Sequence, residues 1–134
     1  MKTIVLSLQV LLSAIGAGIG YFVGGFDGFM YALVMFVFID YITGVISAVL
    51  EKRLNSETGA KGIIKKVLIF VLVGMGNILD VNIIGQGSAI RTAVIFFELS
   101  NEGISILENV SRIGLPIPEK LQAVLLQLHE KDND

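Results

Sequence analysis

The chain has 134 residues, of which 54% are hydrophobic and 16% are charged, with a mean hydropathy of +0.79 and a formal net charge of −2. This composition is too apolar for a soluble domain of this length, and it indicates a membrane protein. A chain with no cysteine and a single histidine, His129, offers no thiolate or tetrahedral zinc site and no histidine-based triad. The lack of a basic tail argues against nucleic-acid binding. We therefore expect neither an enzyme nor a cofactor.

The first apolar run predicts a transmembrane helix at about 4–23. Lys2 precedes the run, as in a signal peptide, but the run is long enough to span and lacks a convincing cleavage site. Gly16, Gly20 and Gly24 recur at four-residue spacing within or beside it. They indicate either a ridge for close helix contact or the general enrichment of glycine in membrane helices.

A second and a third apolar run predict transmembrane helices at about 29–50 and 67–84. Both runs contain an acidic residue, which is costly inside a bilayer unless it is protonated or hydrogen-bonded. In the second run the acid shares one helical face with a threonine and a glycine. We interpret these polar and small residues as contacts between helices; they are Asp40, Thr43, Gly44, Asn77 and Asp80.

The segment 51–66 between these runs is predicted to be a loop and is the only strongly basic one, with five basic and two acidic residues. By the positive-inside rule it should be cytoplasmic. That orientation places both termini in the cytoplasm and the turns at 25–28 and 85–88 outside. Its basic residues could also bind anionic lipid head groups, although their role in topology is sufficient. They are Lys52, Arg53, Lys61, Lys65 and Lys66.

A fourth helix, predicted at about 88–113, carries acids and amides on one stripe. At 100° per residue, the members of this stripe lie within about 60° of Arg91 around the helix axis. The opposite face is apolar, and Ile95 and Leu99 are assigned to it. The members are Arg91, Glu98, Glu102, Ser105, Asn109 and Arg112.

A carboxylate at the centre of a bilayer costs about 2.5–3.5 kcal/mol, so this stripe must meet either polar groups or water. Pairing of the acids with Arg91, Arg112, Asn77 or amides of a neighbouring chain is one interpretation, and the lining of a water-filled path is the other. We favour a span packed inside a homo-oligomer over an interfacial helix.

After Pro118 the chain predicts a short amphipathic helix in a cytoplasmic tail at 118–134. Leu121, Val124, Leu125 and Leu128 recur at i, i+3, i+4 and i+7, which is typical of one apolar helical face. This helix could lie on the membrane surface or pair with a neighbouring subunit. The predicted fold is therefore all-α: a polytopic membrane domain at 1–117, with three to four transmembrane helices, followed by this tail.

Several motifs follow one another in a fixed order. They are Asp40-Tyr-Ile-Thr-Gly-Val45, Ser56 with Gly59-Ala-Lys-Gly-Ile-Ile-Lys-Lys66, Asp80, Asn101-Glu-Gly-Ile-Ser-Ile-Leu-Glu-Asn109 and Gly114-Leu-Pro-Ile-Pro118. In this order the chain resembles the phage holins of the toxin-secretion/phage-lysis type, from about residue 29 to residue 128.

The resemblance implies a small protein of the bacterial cytoplasmic membrane that forms homo-oligomers and opens the membrane at a set time. An endolysin, or a toxin in bacterial relatives, would then leave the cell without necessarily touching the holin, and phage infection would end in host lysis. A small ion- or proton-coupled transporter or channel is the alternative, since it would also place Asp40, Asp80 and Glu102 in a membrane. Transporters usually show internal repeats with broken helices, and none is evident here.

Overall fold

Five helices make up most of the chain in the computed structural model, which describes residues 1–133 and, for Leu125 and residues 128–133, the backbone alone. Residues 1–133 contain no strand, so the all-α prediction is confirmed. A π-helical segment, Leu79–Ile84, continues the third helix. The helices are α1 (Lys2–Val23), α2 (Gly28–Leu50), α3 (Ser56–Ile78), α4 (Ala89–Ile113) and α5 (Glu119–Asn133).

Three of these helices are long and apolar enough to cross a membrane within the described part of the chain. They are Lys2–Val23, Gly28–Leu50 and α3 with its continuation, Ser56–Ile84. The prediction of a polytopic membrane protein is therefore confirmed.

The third helix begins at Ser56, eleven residues before the predicted start at Val67, so the predicted loop at 51–66 is wrong for most of its length. The side chain of Asn55 accepts a hydrogen bond from the Thr58 backbone N–H (2.8 Å), which starts the helix there. Three of the five basic residues therefore lie within α3 and only two in the connection. The helical ones are Lys61, Lys65 and Lys66, and those in the connection are Lys52 and Arg53.

Helices α2, α3 and α4 pack around one apolar core. Leu33 of α2, Val73 of α3 and Ile95 of α4 are fully buried at its centre. The assignment of Ile95 to the face opposite the polar stripe is wrong, because four residues after Arg91 a side chain has turned by only about 40° from it. The core therefore adjoins the stripe along α4.

Helices α2 and α4 run parallel, with α3 antiparallel to both. The ring of Phe29 contacts that of Phe96 at one end of the pair (centroids 5.3 Å apart), and Asn109 donates to Asp40 towards the other end. From Arg91 to Asn109 there are 18 residues, or about 27 Å of helix, close to the roughly 30 Å of a hydrocarbon core. Helix α4 therefore runs beside α2 over a length close to that thickness.

Helix α1 contacts the bundle only near its C-terminal end. Asn77 of α3 donates to the Phe22 carbonyl (3.1 Å), and the Phe22 ring lies where a side chain on Gly74 would be. Elsewhere α1 is almost entirely exposed, and Gly16 and Gly20 have nothing near the place of a Cβ atom. Of the three glycines at four-residue spacing, only Gly24 therefore makes a close contact within the chain.

Helix α5 packs against α4 of its own chain, where Gln122 and Leu126 line a crevice together with Ile104 and Leu107. The sequence predicts a helix on the membrane surface or against a neighbouring subunit, and it does not predict this contact within the chain. The side chains of Leu125 and Leu128, half of the predicted apolar face, and all of Asp134 lie outside the described residues.

Gly24 ends α1 with a φ of +89°, and a Cβ atom there would lie 2.8 Å from Nε of Arg91. We predict that Gly24→Ala destabilises the protein by about 1–2 kcal/mol through the left-handed backbone and by a further 1–3 kcal/mol through overpacking. Gly85→Ala is the matched control, since Gly85 has a φ of +84° and open space around it. Thermal unfolding in detergent measures both losses, and equal losses would contradict the packing role.

Candidate functional site

One lysine joins the three core helices through ion pairs. The ammonium group of Lys66, on α3, contacts the carboxylate of Asp40 on α2 and that of Glu102 on α4, the latter at 2.6 Å. The side chains of Asp40 and Glu102 are only 5% and 7% exposed, and that of Lys66 is 20% exposed. Because all three helices contribute a charge, the ion pairs fix their relative positions.

Asn109 on α4 completes the link to α2. Its Nδ2 donates to Oδ1 of Asp40 (2.9 Å), to the backbone carbonyl of Asp40 (3.2 Å) and to Oγ1 of Thr43 (3.1 Å). Gly44 of α2 lies beside the same nitrogen, and a Cβ atom there would be in ordinary van der Waals contact with it at 3.5 Å. We call Asp40, Thr43, Lys66, Glu102 and Asn109 the ionic cluster.

The ionic cluster holds two carboxyl groups for one ammonium group. Glu98, one helical turn from Glu102, is also buried and makes no ion pair among the described residues. Two ionised carboxylates would leave the cluster with excess negative charge, which is costly in a medium of low dielectric constant unless a proton or water compensates it. The cluster is therefore sensitive to hydration and to the loss of its lysine.

A crevice of about 220 Å³ leads to the ionic cluster from one end of the bundle. It is lined by Asp40, Lys66 and Asn109 at its inner part and by Arg53 and Arg112 near the connection between α2 and α3. At the other side of the cluster lies the fully buried apolar core. Water can therefore reach the cluster more readily from the end that carries the basic residues.

A second polar site lies at the opposite end of the bundle, around Arg91, which is 3% exposed. Its guanidinium group donates to the carbonyls of Val23 (2.5 Å) and Gly25 (3.0 Å) and to Oδ2 of Asp27 (2.8 Å). The hydrogen bond from Arg91 holds the pKa of Asp27 below its ordinary value, against an opposing effect of burial. Arg91 thus fastens the turn between α1 and α2 to the start of α4.

Asp80 and Asn77 complete this second site. The carboxylate of Asp80 accepts hydrogen bonds from the backbone N–H groups of Ile90 (3.0 Å) and Arg91 (2.8 Å), so it caps α4 from the π-helical segment. We call Asp27, Asn77, Asp80 and Arg91 the Arg91 cluster. It brings both turns, 25–28 and 85–88, to the same end of the bundle.

The predicted stripe on α4 is divided among three places. Glu102 and Asn109 belong to the ionic cluster, Ser105 and Arg112 line the crevice, and Arg91 belongs to the cluster at the far end. Two of the predicted partners of the stripe's carboxyl groups are bound elsewhere within the chain, because Arg91 pairs with Asp27 and Asn77 binds carbonyls of α1. The charged partner of Glu102 is Lys66, a residue of the segment that the sequence predicts as a basic cytoplasmic loop.

The stripe is covered by α2 and α3 of the same chain. Glu98, Glu102 and Asn109 are 7%, 6% and 8% exposed within one chain. The expectation that other copies are needed to bury them is therefore corrected: a monomer already does so. Among the described residues, no group of acidic or histidine side chains could hold a metal ion.

Comparison with known proteins identifies the family. The sequence profile of the bacteriophage holin family matches residues 17–130. An uncharacterized protein of Clostridium perfringens is 38% identical over 133 residues, which cover 99% of this chain and 98% of that protein. A probable holin of Bacillus phage phi105 is 38% identical over 96 residues, covering 72% of this chain and 70% of the phage protein.

An uncharacterized protein of Listeria innocua is also similar, at 40% identity over 127 residues that cover 95% of this chain and 90% of the relative. No solved structure matches the chain. The chain belongs to the bacteriophage holin family, and the resemblance seen in its ordered motifs is confirmed.

The ionic cluster makes a prediction about Lys66. We expect Lys66→Met to cost about 3–5 kcal/mol of stability, because it leaves the buried carboxylates of Asp40 and Glu102 without a counter-charge. Thermal unfolding of the detergent-solubilised protein measures the loss. Lys65→Met, at the exposed neighbouring position, should cost less than about 1 kcal/mol.

A neutral form of the same cluster provides the second control. Adding Asp40→Asn and Glu102→Gln to Lys66→Met removes the unpaired charges, so most of the lost stability should return. If the triple variant were no more stable than Lys66→Met alone, charge pairing would not be what the lysine contributes.

Proposed function

We propose that the protein is a holin that oligomerises in the bacterial cytoplasmic membrane and permeabilises it, so that an endolysin or a toxin is released. In a phage infection this would produce timed host lysis. Membership of the bacteriophage holin family supports the class. The observation that carries the mechanism is the ionic cluster, which joins the three core helices through charged groups beside their apolar core.

The ionic cluster gives the bundle two ways of satisfying the same groups. In the closed chain, Lys66 compensates the carboxylates of Asp40 and Glu102. If the helices separate around a water-filled lesion, water solvates the same charges, so the separated state loses ion pairs but regains hydration. An apolar core would gain nothing from such an exchange, since it loses its burial. The stripe on α4 would then line the lesion.

Assembly explains how a closed chain could become lytic only after a delay. A lesion needs several copies to separate their helices together, so opening would be cooperative and would require a critical accumulation. The exposed surface of α1, which lies almost wholly outside the bundle, is available for contacts between copies.

The proposed orientation places both termini in the cytoplasm. The basic residues Lys52, Arg53, Lys61 and Lys65 lie at one end of the bundle and would remain inside by the positive-inside rule. The Arg91 cluster would then lie at the outer face, together with the turns at 25–28 and 85–88.

A small ion- or proton-coupled transporter is the second candidate. The crevice that reaches Asp40 and Lys66 from one end supports it, since transporters also give solutes access to buried charges from one side at a time. A transporter would produce graded, solute-specific flux, whereas a holin would release proteins abruptly.

The experiment that tests this proposal is inducible expression in a bacterium together with a cytoplasmic endolysin. We predict a delay, then an abrupt loss of membrane potential and clearing of the culture. Without endolysin, the cells should stop growing but keep their shape. Full accumulation in the membrane with neither depolarisation nor endolysin release would show that the holin proposal is wrong.

The same assay tests the ionic cluster. Glu102→Gln keeps the shape of the side chain but weakens its pairing with Lys66, so lysis should begin earlier and at a lower accumulated amount of protein. Glu108→Gln, at an exposed position on α4, should leave the timing unchanged. Equal timing of the two variants, at equal expression, would count against a role of the cluster in closure.

A further inference from the structure

An apolar groove runs between α2 and α3 in the half of the bundle that ends at the basic residues. It has a volume of about 300 Å³ and is lined by Val34, Val37, Phe38, Ile63, Val67 and Phe70. Phe38, Ile63 and Val67 are more than half exposed, so this groove opens on the surface that faces the bilayer. Tyr41 and Lys66 line both the groove and the crevice described above, so the two cavities adjoin at these side chains.

The mouth of the crevice carries excess positive charge. Arg53 and Arg112 both line it, together with the hydroxyl-bearing residue Thr58. Glu51 is the carboxylate paired with Arg53, and Arg112 makes no ion pair among the described residues. A guanidinium group binds phosphate oxygens through two parallel hydrogen bonds, so two of them at one opening suit a phosphate group.

The groove itself extends along α3 from Ile63 to Phe70, or about 10 Å of helix, and together with the crevice it extends over about one leaflet of a bilayer. From Ser56, at the start of α3 beside the basic residues, to Phe70 there are 14 residues, or about 21 Å of helix. Half of a bilayer, including its head-group region, is roughly 20–22 Å. A phosphate at the level of Arg53 therefore places the end of an acyl chain near Phe70.

We propose that the crevice and the groove together form a binding site for one anionic phospholipid. Its phosphate group is held between Arg53 and Arg112, and one acyl chain lies in the groove between α2 and α3. The two guanidinium groups at the mouth of the crevice favour an anionic lipid over the apolar surface of a second copy. The proposal requires only that the protein is in a membrane, so it does not depend on lysis.

Such a lipid would stabilise the closed bundle. Along this groove the side chains of α2 and α3 leave a gap that an acyl chain fills, so lipid binding adds apolar contact without changing the ionic cluster. The lipid composition of the membrane would thereby set how firmly the helices are held together.

The test uses the purified full chain in detergent, titrated with phosphatidylglycerol or with phosphatidylcholine of the same acyl chains. Thermal stability and native mass spectrometry report binding. We expect phosphatidylglycerol to raise the melting temperature and to remain bound as one molecule per chain, and phosphatidylcholine to do so at least tenfold more weakly. No difference between the two lipids would overturn the proposal.

Matched charge variants separate a built site from diffuse attraction. Arg112→Gln should weaken phosphatidylglycerol binding about tenfold, because it removes one of the two guanidinium groups. Lys61→Gln removes the same charge from the same end of the bundle but outside the crevice, and it should have little effect. Equal losses in the two variants would show that only the net charge matters, and the site would be rejected.

A second pair of variants tests the groove. Val67→Phe narrows the groove, whereas Leu68→Phe makes a similar change on a neighbouring exposed residue that does not line it. We expect only Val67→Phe to reduce lipid binding. Inorganic phosphate is the last arm: if it stabilises the protein as well as the lipid does, the site binds a free anion and the lipid assignment is wrong.

Discussion

The structure depends on a single ammonium group placed between two carboxylates. Lys66 faces Asp40 and Glu102, and each of the three residues comes from a different helix. Lipid cannot solvate these acids. Removal of the lysine would therefore leave buried carboxylates without a counter-charge on α2 and α4, and these would repel each other. The position of α4, the most polar of the long helices, follows from this pairing.

The two ends of the bundle are held in different ways. At one end the Arg91 cluster fastens backbone carbonyls, a helix cap and both turns with largely buried hydrogen bonds. In the other half the ionic cluster lies beside a crevice and an apolar groove. If the helices separate, the half around the ionic cluster has the less complete packing. The proposed lipid would occupy that same half.

Part of this arrangement could be predicted from residue patterns. Apolar runs long enough to span a bilayer indicate the transmembrane helices, and a period of 100° per residue places Glu102 and Asn109 on one face of α4. That face is indeed the buried one. The same angle applied to Ile95 would have placed it beside the stripe, in the core.

The pairing of these residues could not be read from the pattern. Lys66 is 26 residues from Asp40 and 36 from Glu102, and helical periodicity says nothing about partners on other helices. Its position inside α3 depends on the Asn55 cap, a local hydrogen bond in a segment whose charge suggested a loop. Arg91 lies on the same face of α4 as the rest of the stripe, but at the other end of the helix, where it pairs with Asp27. The amphipathic pattern of α5 likewise does not indicate which surface its apolar face packs against.

The central claim is that the α2–α4 contact is closed before permeabilisation and must separate for it. The chain has no cysteine, and the rings of Phe29 and Phe96 are in contact, so Phe29→Cys with Phe96→Cys places two thiols across this contact that a short, reductant-cleavable bifunctional thiol reagent can join. After crosslinking, the double variant should accumulate in the membrane without depolarising the cells, and a reductant should restore abrupt depolarisation; each single variant should behave alike in both conditions. Abrupt depolarisation with the crosslink fully formed would contradict a closed α2–α4 contact that must separate.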